Sequence, residues 1–387
     1  MRFIIKFGGS SLSNPNKIKK VASFIADLKQ NKNLQLVAVV SAMGKTTSTL
    51  QNLVNSVSEN PNQHTLASIL SKGEEISANL LSIALNSLNI KNQVLTAKDI
   101  LIHVSGHPNN AIITSIDTKN IENLLSAGNI VVIPGFQGVD EAGRICTLGR
   151  GGSDTTATAL GSVLDAQVKI YTDVPGFYKF DPNLFDKNSK LDRIDTLSAI
   201  ELSSCGAKVM EQRSLEIAYT NNLPLKVCKS ETNDGTSINT SQISGFLIDG
   251  ISFKNNICIV KKCKNKNNSL QNYIKNNGKM ILYYAVEQNQ NKLFEKIISD
   301  MSESELQKLK IKNIVSIDSC ELITISGCGF LTNTNFMSFI ENLILHNKKS
   351  IFFSNLTPTT IKIATKPRKA YEITKSLNNF CKMENII

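Results

Sequence analysis

The chain of 387 residues contains no tryptophan, only four histidines, and no apolar run approaching the length of a membrane-spanning helix. Its eight cysteines (Cys146, Cys205, Cys228, Cys258, Cys263, Cys320, Cys328 and Cys381) are irregularly spaced and form no C-x-x-C pair. That spacing argues against a zinc cage or a disulfide framework, so reduced, buried thiols are expected and no metal ligand is assigned. No cleavable signal precedes Arg2-Phe3-Ile4-Ile5-Lys6, and a cytoplasmic protein without membrane contact is expected. No low-complexity block is long enough to imply bulk disorder, and 41% hydrophobic with 19% charged residues is the composition of a folded globular chain.

The length calls for two or three domains, each able to bury its own core. A net charge of +11 can serve nucleic acid, an anionic membrane surface or small anions. Clustered aromatics and a nucleic-acid module are both missing, so no nucleic-acid partner is expected. The surplus is densest at Lys261-Lys262-Cys263-Lys264-Asn265-Lys266, which reads as a solvated loop.

Up to about residue 247, short β-rich apolar runs alternate with helical patterns, the mark of an α/β fold with a mostly parallel sheet flanked by helices. Arg2–Phe7 reads as a strand, and Pro15 behind Asn14 opens a helix with Ile18, Val21, Ile25 and Leu28 on one face. Leu34–Val40, Ile130–Ile133, Val168–Thr172 and Leu225–Val227 read as further strands. Helices are expected near Leu66–Leu88, Lys119–Ala127, Ser198–Cys205 and Gln212–Asn221, with another capped by Asp154 and reaching Leu164. Beyond 247 the texture changes. Glu321–Ile325, Phe336–Leu345, Ser350–Phe353, Thr360–Ala364 and Ala370–Leu377 give β-α-β-β-α order, a ferredoxin-like unit.

In an open parallel sheet, ligands collect at the carboxyl ends of the strands. Gly8-Gly9, Ser41-Ala42, Gly135-Phe136 and Thr172-Asp173 all follow strands. Glycines there let backbone N–H groups approach phosphate oxygens, and Lys6, Arg150 and Lys208 stand beside such loops as fixed cations. Phosphoryl transfer needs such groups, because charge spreads over the moving phosphoryl. Singly, a Gly-Gly pair is a tight turn and a strand-end lysine a solvated charge, and Gly149-x-Gly151-Gly152 is not a Walker loop. Together they indicate an anion-binding α/β enzyme, without specifying a substrate.

Several blocks go further. Lys6-Phe7-Gly8-Gly9-Ser10-Ser11, Val40–Thr47, Lys72-Gly73-Glu74, Gly135-Phe136-Gln137-Gly138, Thr147–Ala157, Thr172–Tyr178 and Gly206-Ala207-Lys208-Val209 resemble, in order, the conserved blocks of aspartokinases in the amino-acid kinase superfamily. The resemblance implies an amino-acid kinase fold over residues 1–247 and an ACT-like regulatory region over 248–387, reduced or divergent across 251–315 and better matched across 316–387. It implies transfer of the ATP γ-phosphoryl group to the side-chain carboxylate of L-aspartate. The product would be 4-phospho-L-aspartate, at the start of lysine, threonine and methionine biosynthesis. Mg²⁺ would be held mainly through the ATP phosphates. Lys6, Asp154 and Lys208 would be catalytic. Ser41, Thr47, Glu74, Phe136, Arg150 and Ser153 would hold aspartate. Lys6, Gly8, Gly9, Ser10, Thr172, Asp173, Tyr178 and Lys208 would lie along the nucleotide. A homodimer through the C-terminal region and a weak lysine or threonine effector are also implied. Ser10, Asn183, Glu211-Gln212 and the stretch Leu101–Ile112 depart from the family pattern. A kinase for another carboxylate and a non-catalytic amino-acid sensor remain open alternatives.

Overall fold

The computed structural model describes residues 1–31, 33–182, 185, 190–207, 209–230, 232, 234–240, 247–263, 270–271, 274, 281–289, 292–308 and 314–384. The chain divides into two units, one of residues 1–177, 192–196 and 209–240, the other of 178–191, 197–208 and 241–387.

The first unit runs β1 (Arg2–Phe7), α1 (Pro15–Lys29), β2 (Gln35–Val40), α2 (Thr46–Val57), α3 (Gln63–Leu70), α4 (Lys72–Ser87), β3 (Asn92–Val94), β4 (His103–His107) and β5 (Asn110–Ser115). It continues with α5 (Lys119–Ser126), β6 (Ile130–Pro134), β7 (Gln137–Val139), β8 (Ile145–Thr147), α6 (Gly152–Val163), β9 (Gln167–Thr172) and β10 (Arg193–Asp195). After α7 (Thr196–Ser204), all but its first residue in the other unit, come α8 (Gln212–Thr220), β11 (Leu225–Lys229) and β12 (Gly235–Asn239). The main sheet has eight strands in the order β10-β12-β11-β9-β1-β2-β6-β3, antiparallel only between β11 and β12. β5-β4-β7-β8 form a separate four-stranded sheet.

Strand alternation decides what faces the site. Ile5 and Phe7 of β1 pack with Ile18, Val21 and Ile25 of α1 and Leu81 and Leu85 of α4. Lys6, one residue out of phase, points to the opposite face, where α6 lies against β1. Burial on both faces explains the near-continuous apolar runs of β1, β2 and β6. Asn14 caps α1 by accepting the Lys17 amide, with Pro15 at the first turn.

The long helical region read from about Leu66 to Leu88 consists of α3 followed by α4, meeting at Ser71; buried Leu66, Ala67, Leu70, Ala78, Leu81 and Leu85 keep one period across the break. α6 is capped by Gly151 in the left-handed region (φ +60°), not by Asp154, which is buried in the helix's first turn.

The second unit contains β13 (Leu247–Cys263), helical residues at Leu270, Gln271 and Ile274, β14 (Ile281–Asn289), β15 (Lys292–Ser299), α9 (Glu303–Lys308), β16 (Ile314–Cys328), α10 (Thr334–His346), β17 (Ile351–Leu356), β18 (Thr360–Thr365) and α11 (Ala370–Met383). The last five elements follow the β-α-β-β-α order read from the sequence. The first five run in that order as well, so the stretch 251–315 is not reduced in its element order, and the unit is an internal duplication of topology. Its antiparallel sheet is β14-β15-β13-β16-β18-β17, with the two halves joined through their first strands. Leu270, Ile274, Met301 and Leu306 cover Cys258, Val260 and Ile297 in one half; Phe336, Ile340, Ile373 and Leu377 cover Ile323, Ile325, Ile361 and Ile363 in the other. Among the described residues no helix is long and apolar enough to cross a membrane.

The lysine run read as a solvated loop begins inside β13. Lys262 is buried, directly opposite Glu295 of β15, and its Nζ lies 2.7 Å from Glu295 Oε2; Lys264–Lys266 fall outside the described residues. Tyr284 Oη donates to Glu295 Oε1 at 3.0 Å. Paired charges taken out of water are costly to separate. Lys262→Met should therefore destabilise this unit by about 3–5 kcal/mol, and the double change Lys262→Met with Glu295→Leu should restore most of the loss. Hydrogen exchange of β13 and β15 would measure both, and a single-variant loss below about 1 kcal/mol would mean that the pair is not desolvated.

Candidate active site

The carboxyl ends of β1, β2 and β6 and the start of α6 surround a cavity of about 520 Å³ within the first unit. Lys6, Gly9, Ser41, Thr47, Glu74, Phe136, Arg150 and Ser153, all singled out in the sequence, line it. The loops reach it by close backbone approach. A Cβ on Gly9 would stand 2.7 Å from Ala42 O, and one on Gly135 would stand 2.8 Å from Ser153 Cα. Gly44 N donates to Gly9 O at 3.0 Å, lacing the first two loops together. Phe136 adopts φ +72°, uncommon for a bulky residue. It is held there by its N–H donating to Thr156 Oγ1 (3.1 Å) and its carbonyl accepting from Leu148 N (2.8 Å).

Lys6 and Asp154 form a buried ion pair, Nζ to Oδ1 2.6 Å. Asp154 lies in the first turn of α6, where the helix dipole favours an anion. Glu74, in the first turn of α4, is 4% exposed. Its Oε1 accepts from Ala42 N at 3.1 Å, whereas Oε2 is buried without a hydrogen-bond partner. Burial pushes the Glu74 carboxyl up to about 7, against the lowering effect of the Ala42 amide. Such a carboxylate can take one more strong donor from the cavity. Arg150 is exposed on the same cavity, so charges of opposite sign face a space the size of a small metabolite.

The remaining candidates lie elsewhere. Gly8, Ser10, Thr172 and Asp173 belong to the first unit but are not on the cavity wall. Gly8 N donates to Tyr171 O, Ser10 O accepts from Lys17 Nζ at 2.7 Å, and Thr172 Oγ1 donates to Asp173 Oδ1 at 3.0 Å. Tyr178 belongs to the second unit, bridged to Lys190. Lys208 and Asn183 lie outside the described residues.

Sequence reasoning missed Gln51, Gln63, Leu66, Leu70 and Asn109 on the wall. Gln63 and Asn109 are joined across the cavity rim, Asn109 Nδ2 donating to Gln63 Oε1 at 2.7 Å, and no local motif announces either. His64, Asp140 and Cys146 place possible ligand atoms within 4.8 Å of one another. Asp140 is already engaged there by Arg144 and by the turn amides of Ala142 and Arg144, which hold its carboxyl below the usual range even against desolvation.

A family model described as the amino acid kinase family matches residues 1–229. The aspartokinase 2 of Bacillus subtilis (strain 168) is 40% identical over 256 residues, 65% of this chain and 62% of that one. The aspartokinase of Geobacillus stearothermophilus is 38% identical over 256 residues, 65% and 63% of the two chains. The matched stretch thus spans less than two thirds of either relative. The structure of E. coli aspartokinase III in complex with aspartate and ADP (R-state) resembles this one in fold, with a TM-score of 0.79 at 17% identity over 98% of this chain and 99% of that one. Because the family model accounts for more than half of the sequence, and because its segment forms the parallel sheet and the cavity at its strand ends, the chain belongs to the amino acid kinase family.

Proposed function

We propose that this chain is an ATP-dependent aspartate kinase, transferring the γ-phosphoryl group to the side-chain carboxylate of L-aspartate to give 4-phospho-L-aspartate. The observation that carries the reading is the half-satisfied Glu74 carboxylate facing the same cavity as Arg150, with Lys6 at its floor. An α-amino acid offers the complements: an ammonium for Glu74 Oε2, an α-carboxylate for the Arg150 fork, and a second carboxylate to be phosphorylated. The relatives named aspartokinase support aspartate over other acceptors.

The attacking carboxylate is ionised at neutral pH, so no general base is required. The chain's work is alignment and charge neutralisation. Lys6 would neutralise the transferring phosphoryl, and Asp154 would hold its ammonium in place before the anion arrives. Ser41, Thr47 and Ser153 would orient aspartate against Phe136. Gly8, Gly9, Ser10, Thr172, Asp173, Tyr178 and Lys208 would lie along the nucleotide. Glu74 is the only carboxylate among the described residues lining the cavity, so Mg²⁺ would arrive on the ATP phosphates, where it supplies Lewis-acid neutralisation. The reading places the enzyme in the cytoplasm. In it the C-terminal unit is ACT-like, pairs two copies of the chain, and responds weakly to lysine or threonine.

Aspartate-dependent ADP formation with ATP and Mg²⁺ should be measurable in a coupled assay, and its absence at saturating substrates would sink the proposal. Lys6→Ala should lower kcat by about 10²–10³-fold, because its charge acts on the transition state, whereas Arg150→Ala should chiefly raise the KM for aspartate, by at least roughly tenfold. Wild-type kinetics in both variants would relocate the site.

Glu74 also sets a pH dependence. Its ionised form is the one that pairs with an ammonium, so kcat/KM for aspartate should rise with pH through about 7, and Glu74→Gln should abolish that limb. Stability runs the other way. With the folded pKa raised above the unfolded value, the contribution is fully present below about 4.5 and is lost as pH rises through about 7. The stability of the wild type relative to Glu74→Gln should fall by on the order of 3 kcal/mol across that window, read by denaturant unfolding without ligand. A pH-independent difference would show that folding leaves the Glu74 carboxyl unshifted.

For the C-terminal unit, light scattering should report a homodimer. Lysine or threonine titrated at sub-saturating aspartate should shift apparent affinity by less than about fivefold, the lower end of ordinary allosteric coupling. A monomer or a strong low-concentration response would overturn that part.

A further inference from the structure

The hairpin of β4 and β5 beside the cavity is held by a cation that no motif announced. Arg213, near the start of α8, is partly buried. Its Nη1 donates to Ala111 O (3.0 Å) and Leu148 O (2.8 Å), and its Nη2 donates to Asn110 Oδ1 (2.8 Å). Asn110 and Ala111 open β5, the returning strand of the hairpin, while Leu148 immediately precedes Gly149-Arg150. One planar group therefore ties the hairpin tip to the loop that carries Arg150.

The contacts around it show why this matters. Asn109, at the hairpin tip, lines the cavity and donates to both the side chain and the carbonyl of Gln63, at 2.7 and 3.2 Å. Thr147 N donates to Pro108 O at 2.7 Å. Gly149 is left-handed (φ +77°), and a Cβ there would stand 2.6 Å from Asn110 Oδ1, so the amide that Arg213 grips lies directly over the loop. Arg213 does not itself line the cavity.

We propose that Arg213 is a positioning residue for the acceptor: it fixes where Arg150 and Asn109 stand along the cavity wall without touching the acceptor. This rests on the reading of the cavity as an amino-acid site. The guanidinium suits the task because its fork reaches three oxygens on two segments, whereas a lysine Nζ is a single point charge that cannot replace that geometry. Displacement of a binding group by about 1 Å can cost up to roughly a hundredfold in rate when substrate alignment is lost.

The test compares Arg213→Ala, Arg213→Lys and Asn110→Ala in the full chain. Both Arg213 variants should raise the KM for aspartate by about tenfold or more while the KM for ATP and the kcat change less than about threefold. Asn110→Ala should move the same constant by less, and adding it to Arg213→Ala should produce little further change, since both break one contact. Guanidinium ion should partly restore the KM of Arg213→Ala but not that of Arg213→Lys. Hydrogen exchange, which needs no substrate, should quicken in residues 103–115 and 147–152 of Arg213→Ala and nowhere else. A merely structural staple would instead lower the active fraction, reducing kcat with both KM values unchanged, and would overturn the proposal. Unchanged exchange in the hairpin would overturn it too. A wild type without aspartate-dependent turnover but with the localised exchange change would leave the clamp standing and place the failure in the functional reading.

Discussion

The arrangement of the cavity depends on one buried ion pair, Lys6 with Asp154. Neither charge can stand alone there, because removing an ammonium or a carboxylate from water without a partner costs several kcal/mol. Meeting at 2.6 Å requires three conditions at once: the side-chain phase of β1 that turns Lys6 away from α1 and α4, a strand that ends beside α6, and an α6 that begins early enough to put Asp154 in its first turn. Satisfying them brings the loop after β1 and the glycine-rich loop before α6 to one place. In the proposed reaction the pair also explains how a lysine is kept ready without an anionic ligand: Asp154 compensates it and leaves the ammonium beside the cavity.

Ala42 is the second hinge of the design. Its N–H donates to Glu74 Oε1, its carbonyl stands where a Cβ on Gly9 would collide, and its methyl stands 2.8 Å from where a Cβ on Gly73 would be. The loop after β2 is thereby pressed between the first loop and the first turn of α4, and both glycines are required by contact. This packing drives Glu74 into its desolvated position. A carboxylate raised toward neutrality in the free state is a stability cost that an ammonium ligand would relieve, so binding energy is drawn from a strain already present.

The parts legible in the sequence were those that carry their own local signal. Strands β1, β2, β6, β9 and β11 of the main sheet announce themselves as short apolar runs, whereas the short or polar β3, β10 and β12 do not, and α1 is announced by Asn14, Pro15 and its buried period. Lys6, Glu74, Arg150 and Ser153 stand in blocks whose order resembles aspartokinases, and all line one cavity. What could not be read is set by contacts distant in sequence. Gln63, Asn109 and Arg213 act through hydrogen bonds spanning 46 to 103 positions along the chain. α2 buries only Val54 among its helical residues, with partly buried Leu50 one turn earlier against α3, so its apolar face is short, and the junction at Ser71 interrupts α3 and α4 without interrupting their burial period.

The C-terminal unit was the least legible because its stability is shared between halves. In each half the third strand pairs with both the first and the second, β15 with β13 and β14, and β18 with β16 and β17, which leaves one side of each first strand open. Pairing β13 with β16 closes both openings at once, which explains why these two strands are so long and why register shifts occur along them. Composition then misleads. Lys262 looks solvated in the sequence, yet it falls on the helix-covered face of a strand that must run this far to complete the pairing, and Glu295 opposite it is what makes that extension tolerable. Once the first strands are joined, the outer strands are β14 and β17, and β14 carries the exposed Tyr284 and Val286. Among the described residues no strand pairs with the outer side of β14 or β17, so the duplication that completes the sheet within one chain leaves its two edges as the places where the proposed pairing with a second copy could use strand addition.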